Sequence, residues 1–181
     1  MGRVMALVQT TTDIEYPESD GLPMGETDLH REWMIRIFDL LDYRYRHHRA
    51  YVACNLLVYY EEGEPSRFIV PDVFVALGPE RGHRRVYKIW EEGMAPHVVF
   101  EVTSRTTRNE DSSRKPVLYE SLGVKEFFLY DPTSDYLSTP LQGFRLENLK
   151  YRPIESDGRG ALSGGTGLAA GCGPLTHYIR R

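Results

Sequence analysis

The sequence predicts a mixed α/β domain in which a central mixed β-sheet is flanked by helices. Two apolar runs, residues 68–77 and 97–103, are continuous enough for central strands that are covered on both faces. A strand, a helix and a second strand follow one another over residues 98–130, which is the order of a crossover unit. A helical pattern begins after residue 26, so we expect one domain over residues 26–181.

Composition is that of a globular protein with a core of its own. The chain has 181 residues, of which 41% are hydrophobic and 27% charged, and its formal net charge is −4. That charge argues against non-specific coating of nucleic acid but leaves room for a local basic groove. No segment approaches the roughly 20 apolar residues of a membrane span. We therefore expect a soluble, cytoplasmic protein.

The two cysteines do not predict a metal site. Cys54 and Cys172 lack CxxC spacing, so a reduced cytosolic protein is favoured over one long-range disulfide. Residues 1–25 carry scattered polar residues, prolines and glycines, which predict a loosely ordered N-terminal arm.

The first helix is predicted from Thr27, whose side chain suits the N-cap position. Its apolar residues recur at helical spacing: Trp33, Ile37, Leu40 and Leu41.

Strand patterns dominate the middle of the chain. Residues 52–60 predict a strand, residues 61–65 a turn, and residues 68–77 a second strand. A short strand is possible at 86–90, and residues 97–103 form the next strand.

The segment after residue 103 predicts the rest of the crossover. A helix over residues 111–122 ends at Gly123, and Pro116 is tolerated because it falls near the first turn. A strand follows at 125–130. Weaker patterns come last: short antiparallel strands at 143–146 and 151–154 and a glycine-rich loop over 158–173.

Two carboxylates lie in the apolar strands. Glu101 is in the middle of a run that reads as buried, and Asp72 is in the other long run. A buried ionised side chain needs a compensating partner. If the two strands are neighbours, both acids converge on one point, which suits a divalent metal better than a core. The alternative is structural: Asp72 opens a strand after Pro71, and Glu101 is held by a core arginine.

Pro71-Asp72, followed about thirty residues later by Glu101-Val102-Thr103, resembles the PD-(D/E)XK signature of restriction-endonuclease-like nucleases. The resemblance is closer still to the bacterial Uma-type restriction endonucleases, catalogued as a domain of unknown function. It covers residues 26–155 and is most specific over 98–132. The stretches that carry it are Pro71-Asp72-Val73, Phe100 to Ser104 with Thr107, Lys115, Tyr119, Gly123-Val124 and Phe127 to Pro132, with His30 in the first helix.

The resemblance implies a restriction-endonuclease-like fold and a metal centre. Asp72 and Glu101 would hold one or two Mg²⁺ (or Mn²⁺) ions, with the Val102 carbonyl as a further ligand. The metal would polarise the scissile phosphate of DNA and activate a water molecule. Small nucleases of this fold often cut duplexes as dimers, so a homodimer is expected.

The chain departs from the signature at Thr103, which stands where a lysine is expected. Lys115, on the following helix, is the natural substitute; alternatively it is a solvated residue paired with Asp111. His30 would reach the metal site or the phosphate, or else is a satisfied polar residue at the edge of the core. Tyr119 shares the helical face of Lys115 and suits packing.

Arg105 and Arg108 follow the second acid-bearing strand and are candidate DNA-phosphate contacts. A basic loop at 81–85 is a weaker candidate, because charge runs are usually solvated faces.

These features predict a metal-dependent DNA endonuclease, with Asp72, Glu101, Lys115 and His30 as catalytic residues. Two alternatives stay open. One is a DNA-binding module that keeps the fold without catalysis, which the absence of a lysine at Thr103 favours. The other is a non-enzymatic homodimeric interaction protein, which the net acidity favours. No P-loop, dinucleotide-binding glycine pattern or Ser-His-Asp spacing is present.

Overall fold

A six-stranded mixed sheet with helices on its faces forms the centre of the molecule, as the sequence predicts. A computed structural model of the chain describes residues 14–21, 27–104 and 107–155. The helices are α1 (Asp28–Tyr45), α2 (Ile89–Glu92), α3 (Arg108–Ser112) and α4 (Arg114–Leu122). The strands are β1 (Ala50–Cys54), β2 (Val58–Tyr59), β3 (Phe68–Ile69), β4 (Val73–Leu77), β5 (Tyr87–Lys88), β6 (Val98–Val102), β7 (Glu126–Tyr130), β8 (Leu141–Glu147) and β9 (Lys150–Pro153).

The strand order places the acid-bearing strands side by side. The large sheet runs β1-β4-β6-β7-β8-β9, and β3-β2-β5 form a separate small sheet. Strand β4 pairs antiparallel with β6, and β6 pairs parallel with β7 through the crossover that contains α3 and α4. The predicted crossover unit is therefore present, and β8 and β9 form the predicted antiparallel pair.

Helix α1 covers one face of the large sheet. Thr27 Oγ1 accepts a hydrogen bond from the His30 main-chain N–H at 3.2 Å, so the predicted N-cap is correct. Met34, Ile37 and Leu41 of α1 pack on alternate residues of the sheet, among them Val73, Val75, Val98, Phe100 and Val102.

The other face of the sheet packs against α4. Phe74, Val99 and Phe127 form a second core with Tyr119 of α4. Side chains alternate across a strand, so Glu101 lies on the same face of β6 as Val99, towards α4. Gly123 ends α4 in the left-handed conformation, with φ of 78°, as its predicted capping role requires.

Three single-element predictions are wrong because the chain breaks within them. Residues 52–60 divide into β1 and β2 at Asn55, whose φ is 49°. Residues 68–77 divide into β3 and β4 around Pro71, which has no N–H to donate to a ladder. Residues 111–122 are covered by two helices that meet at Ser113. The possible strand at 86–90 is two residues long and runs directly into α2.

The part of the predicted arm that the structure describes, residues 14–21, lies against the small sheet. The Tyr16 hydroxyl accepts a hydrogen bond from the Gly63 N–H at 2.7 Å, and its ring packs on Tyr59. The rest of the arm, the glycine-rich loop at 158–173 and Cys172 lie outside the described residues. None of the helices that the structure describes is long and apolar enough to cross a membrane.

Candidate active site

The two carboxylates meet where β4 begins and β6 ends. Asp72 directly precedes β4, and Val73 is paired with Phe100, next to Glu101. The Val102 N–H donates to Asp72 Oδ2 at 2.6 Å, and the Asp72 N–H contacts Glu101 Oε2 at 3.4 Å. Antiparallel pairing of adjacent strands thus brings both acids to one point at the end of β6.

Lys115 completes this cluster from the first turn of α4. Its Nζ atom lies 2.8 Å from Glu101 Oε2 and 2.9 Å from Asp111 Oδ1. Only 13% of the Lys115 side chain is exposed. Lys115 therefore contacts Glu101 and Asp111 at the same time, although the sequence offered these contacts as alternatives. It is not a solvated surface residue.

Two further side chains lie against the carboxylates. The Tyr119 hydroxyl donates to Glu101 Oε1 at 2.5 Å, so each oxygen of Glu101 faces a donor. His30 of α1 is buried, and its Nε2 lies 3.3 Å from Asp72 Oδ2. The structure thus brings His30, Asp72, Glu101 and Lys115 together.

Asp111 is the site residue that sequence reasoning treated only as a surface partner. It is 1% exposed, although it belongs to the short polar helix α3. The available signal was spacing: Asp111, Lys115 and Tyr119 follow one another at intervals of four, which places them on one helical face. Their burial depends on how α3 and α4 pack on the sheet, which spacing does not predict.

Glu101 and Asp111 are buried, and their partners compensate that burial only in part, which shifts their pKa values. Desolvation raises the pKa of Glu101 to about 8, and Asp72 and Asp111 add to the rise while Lys115 opposes it. Desolvation likewise raises the pKa of Asp111. Burial by itself would lower the pKa of Lys115, but Glu101, Asp111 and Asp72 together outweigh it and raise that pKa. Lys115 therefore stays charged beside three acidic side chains.

This imbalance predicts a pH-dependent stability in the absence of divalent metal. Glu101 binds its proton more tightly in the folded protein than in the unfolded chain, where its pKa is near 4.5. Its stabilising contribution is present below pH 4.5 and is lost as the pH rises to about 8. We expect the free energy of unfolding of the wild type, relative to Glu101→Gln, to fall across this window by on the order of a few kcal/mol.

Urea unfolding at a series of pH values in a chelating buffer measures that difference. Glu126→Gln is the matched control, because Glu126 is also buried in the sheet but pairs with Arg145 at 3.0 Å. If the wild type and Glu101→Gln show the same pH dependence, Glu101 is not protonated in the folded protein at neutral pH.

The donor set fits a hydrated divalent cation better than a closed metal cage. Asp72 and Glu101 supply hard oxygen ligands, which Mg²⁺ and Mn²⁺ prefer. Within residues 14–21, 27–104 and 107–155, no group of three or more His, Cys, Asp or Glu side chains is arranged to hold a metal ion. Mg²⁺ often binds through one or two carboxylates and keeps several waters, so the two acids fit such an ion.

The basic residues give a mixed result. Arg105 lies outside the described residues. Arg108 begins α3, is exposed, and lies 5.4 Å from the ring centre of Tyr136. Three arginines of the 81–85 loop pair with acids and are therefore weaker candidates for phosphate contact: Arg81 with Asp42, Arg84 with Glu92 and Arg85 with Glu18.

Comparison with known proteins supports the fold. A crystal structure described as "a putative nuclease belonging to DUF820 from Anabaena variabilis ATCC 29413" superposes with a TM-score of 0.53. The match covers 74% of this chain and 70% of that one at 13% sequence identity, so it bears on the fold alone. No curated protein matches the chain.

The family assignment comes from the sequence. A family model named Uma2 and described as "Putative restriction endonuclease" matches residues 5–172, which is most of the chain and includes every site residue above. The expected resemblance to this family is confirmed. The chain belongs to the Uma2 family of restriction-endonuclease-like proteins.

Proposed function

We propose that this protein is a metal-dependent endonuclease that hydrolyses phosphodiester bonds in DNA. The observation that carries the proposal is the meeting of Asp72 and Glu101 at the end of β6, with Lys115 Nζ 2.8 Å from Glu101 Oε2. Membership in the Uma2 family and a nuclease-like fold support the coarser assignment as a nuclease. The metal and the DNA substrate are inferred from the chemistry of the cluster.

Asp72 and Glu101 would hold Mg²⁺ or Mn²⁺, with the main-chain carbonyl of Val102 as a further candidate ligand. Such an ion supplies Lewis acidity towards the scissile phosphate and lowers the pKa of a coordinated water. The Val102 N–H donates to Asp72 Oδ2 and so orients that carboxylate, and His30 Nε2 lies 3.3 Å from the same oxygen. Tyr119 fixes Glu101 in the same way.

Lys115 is the residue proposed to stabilise negative charge on the reacting phosphate. Its ammonium remains protonated because Glu101, Asp111 and Asp72 raise its pKa despite burial. A fixed cation in a site with little water interacts strongly with charge that develops during the reaction. Arg105 and Arg108 stay proposed contacts with DNA phosphates. A homodimer and a cytoplasmic location stay predictions.

The first test is conversion of supercoiled plasmid to nicked and linear forms. We expect cleavage by the wild type with Mg²⁺ or Mn²⁺, no cleavage with a chelator, and no cleavage by Asp72→Ala. Glu126→Gln, which changes a buried acid at the opposite end of the β6–β7 pair, should cut like the wild type. Equal cutting by the wild type and Asp72→Ala would show that the acids are not the site.

A second candidate is a DNA-binding module that has lost catalysis. Lys115 is shared between two acids, and Thr103 occupies the position where the signature has a lysine, so among the described residues the cluster has no cation that is not already paired. DNA affinity that is retained in chelator, with no metal-dependent turnover, would select this candidate. Absence of DNA binding at any ionic strength would instead favour a role outside nucleic-acid chemistry.

A further inference from the structure

We propose that Asp111 is a positioning residue that aims the Lys115 ammonium at Glu101 and so allows a helix to supply the lysine that the strand lacks. This inference rests on the proposed nuclease function, because it assigns Asp111 a part in that same site. Asp111 acts through Lys115 and has no assigned contact with substrate or metal.

Two acidic side chains from different elements contact the Lys115 ammonium. Lys115 Nζ is 2.9 Å from Asp111 Oδ1 and 2.8 Å from Glu101 Oε2, so it bridges a helix and a strand. A lysine side chain has four rotatable carbon bonds and a large rotamer entropy. One carboxylate contact leaves many of its rotamers open, whereas two contacts from different elements restrict it to a narrow set.

Lys115 approaches Glu101 from a different element than Thr103, which stands where the signature has its lysine. Thr103 follows β6 directly, and its N–H donates to Tyr130 O at 2.7 Å, so the sheet fixes its backbone. Lys115 instead reaches Glu101 from α4, which begins only after the chain breaks at Ser113. A side chain that reaches across from a helix needs a second anchor, and Asp111 is placed to provide it.

The Asp111–Lys115 pair differs from a neighbouring pair of the same spacing. Glu110 and Arg114 also lie four residues apart, but their side chains are 53% and 81% exposed and their closest charged atoms are 3.6 Å apart. Such exposed pairs contribute little. Asp111, by contrast, is buried at 1% exposure, where an ionised carboxylate is unfavourable unless a partner compensates it. Lys115 is such a partner, with its Nζ atom 2.9 Å from Asp111 Oδ1.

The test is a double-mutant cycle in DNA cleavage under single-turnover conditions, with Asp111→Asn, Lys115→Met and the double variant. We expect Asp111→Asn to lower the cleavage rate on the order of tenfold while the Kd for DNA and the half-saturating Mg²⁺ concentration stay unchanged. The double variant should be no slower than Lys115→Met alone, because the two residues act as a unit. Glu110→Gln is the matched control and should cleave like the wild type.

A second readout does not depend on cleavage. The ¹⁵Nζ resonance of the Lys115 ammonium, in protein labelled at lysine, should be observable in the wild type and in Glu110→Gln, because a held ammonium exchanges slowly with water. It should broaden or shift in Asp111→Asn. Asp111→Glu, which keeps the charge on a longer side chain, should give a rate and a resonance between those of the wild type and Asp111→Asn. If Asp111→Asn does not fold, Asp111→Glu decides the question. A cleavage rate and a Lys115 resonance identical to those of the wild type would then overturn the proposal.

The other outcomes separate this inference from the proposed function. Wild-type cleavage with Asp111→Asn unchanged in both rate and resonance overturns the positioning role and leaves the nuclease proposal standing. The positioning role would also be overturned if the losses in cleavage rate add up in the double variant, or if Asp111→Asn needs a higher Mg²⁺ concentration for half-saturation. In either case Asp111 would act independently of Lys115. If the wild type cleaves no DNA, the nuclease proposal fails, and the Lys115 resonance alone supports or refutes the positioning.

Discussion

Glutamine in place of Glu101 is expected to reduce metal-dependent DNA cleavage on the order of a thousandfold or more, which corresponds to about 4 kcal/mol of transition-state stabilisation. Glutamine keeps the size of the side chain but removes the negative charge that a divalent cation needs at this position. It also puts an amide beside Lys115, whose Nζ contacts Glu101 Oε2 at 2.8 Å. We therefore expect weaker metal binding and a less well-defined orientation of the Lys115 ammonium.

Single-turnover cleavage at saturating protein measures the effect, and calorimetric titration with Mn²⁺ measures the loss of metal affinity separately. Glu126→Gln is again the control, because it makes the same chemical change at a buried position of the neighbouring strand β7. Cleavage by Glu101→Gln within tenfold of the wild type would show that Glu101 is structural, a carboxylate held by Lys115 and Tyr119 with no part in hydrolysis.

The elements that sequence predicts well are those governed by local chemistry. The Thr27 hydroxyl caps the first turn of α1, and Gly123 caps the end of α4, where a left-handed residue is needed. The strand–helix–strand order over β6, α4 and β7 follows from apolar runs separated by a polar segment of helical length. Each of these features is encoded within a few consecutive residues.

The sequence does not predict which sheet a strand joins, because strand pairing depends on residues that are far apart in the chain. The apolar run 68–77 looks like one strand, yet β3 pairs with β2 in the small sheet while β4 pairs with β1 and β6 in the large one. The break falls at Val70-Pro71, where proline removes a ladder donor. A run of apolar residues reports burial, but it does not report which sheet buries it.

The acids of the site were recognisable from burial, whereas their neighbours depended on packing. Glu101 is conspicuous because a carboxylate interrupts an apolar strand, and the structure places it at 0% exposure. Asp111 sits in the polar segment Arg108–Ser112, where nothing in the composition distinguishes a buried acid from a solvated one. Only the way α3 packs beside α4 and the sheet brings it to Lys115.

Lys115 is the proposed source of positive charge at the reacting phosphate, and its removal should have a large effect. Lys115→Ala is expected to lower the cleavage rate on the order of a hundredfold, because it removes a preorganised charge from a buried site. Introducing a lysine at the signature position, in Thr103→Lys/Lys115→Ala, should recover at least about tenfold of that loss. Rates would be compared under single-turnover conditions at saturating Mg²⁺.

The recovery is expected because Thr103 occupies the right face of the sheet. Side chains alternate along a strand, so Thr103 projects to the same side as Glu101, towards α4. Thr103 is itself buried, and among the described residues no group hydrogen-bonds to its Oγ1 atom, so replacing it breaks no such contact with them. Enlarging a packed site costs about 1–3 kcal/mol of stability, and thermal unfolding of each variant accounts for that cost.

Charge and bulk are separated by Thr103→Met/Lys115→Ala, which adds a long side chain without an ammonium. If methionine and lysine at this position restore cleavage equally, the benefit comes from packing, and Lys115 has no electrostatic role. If neither restores it, the lysine must approach from α4 with Asp111 behind it. Recovery with lysine alone would mean that the site requires one ammonium next to Glu101, whether it arrives from the strand or from the helix.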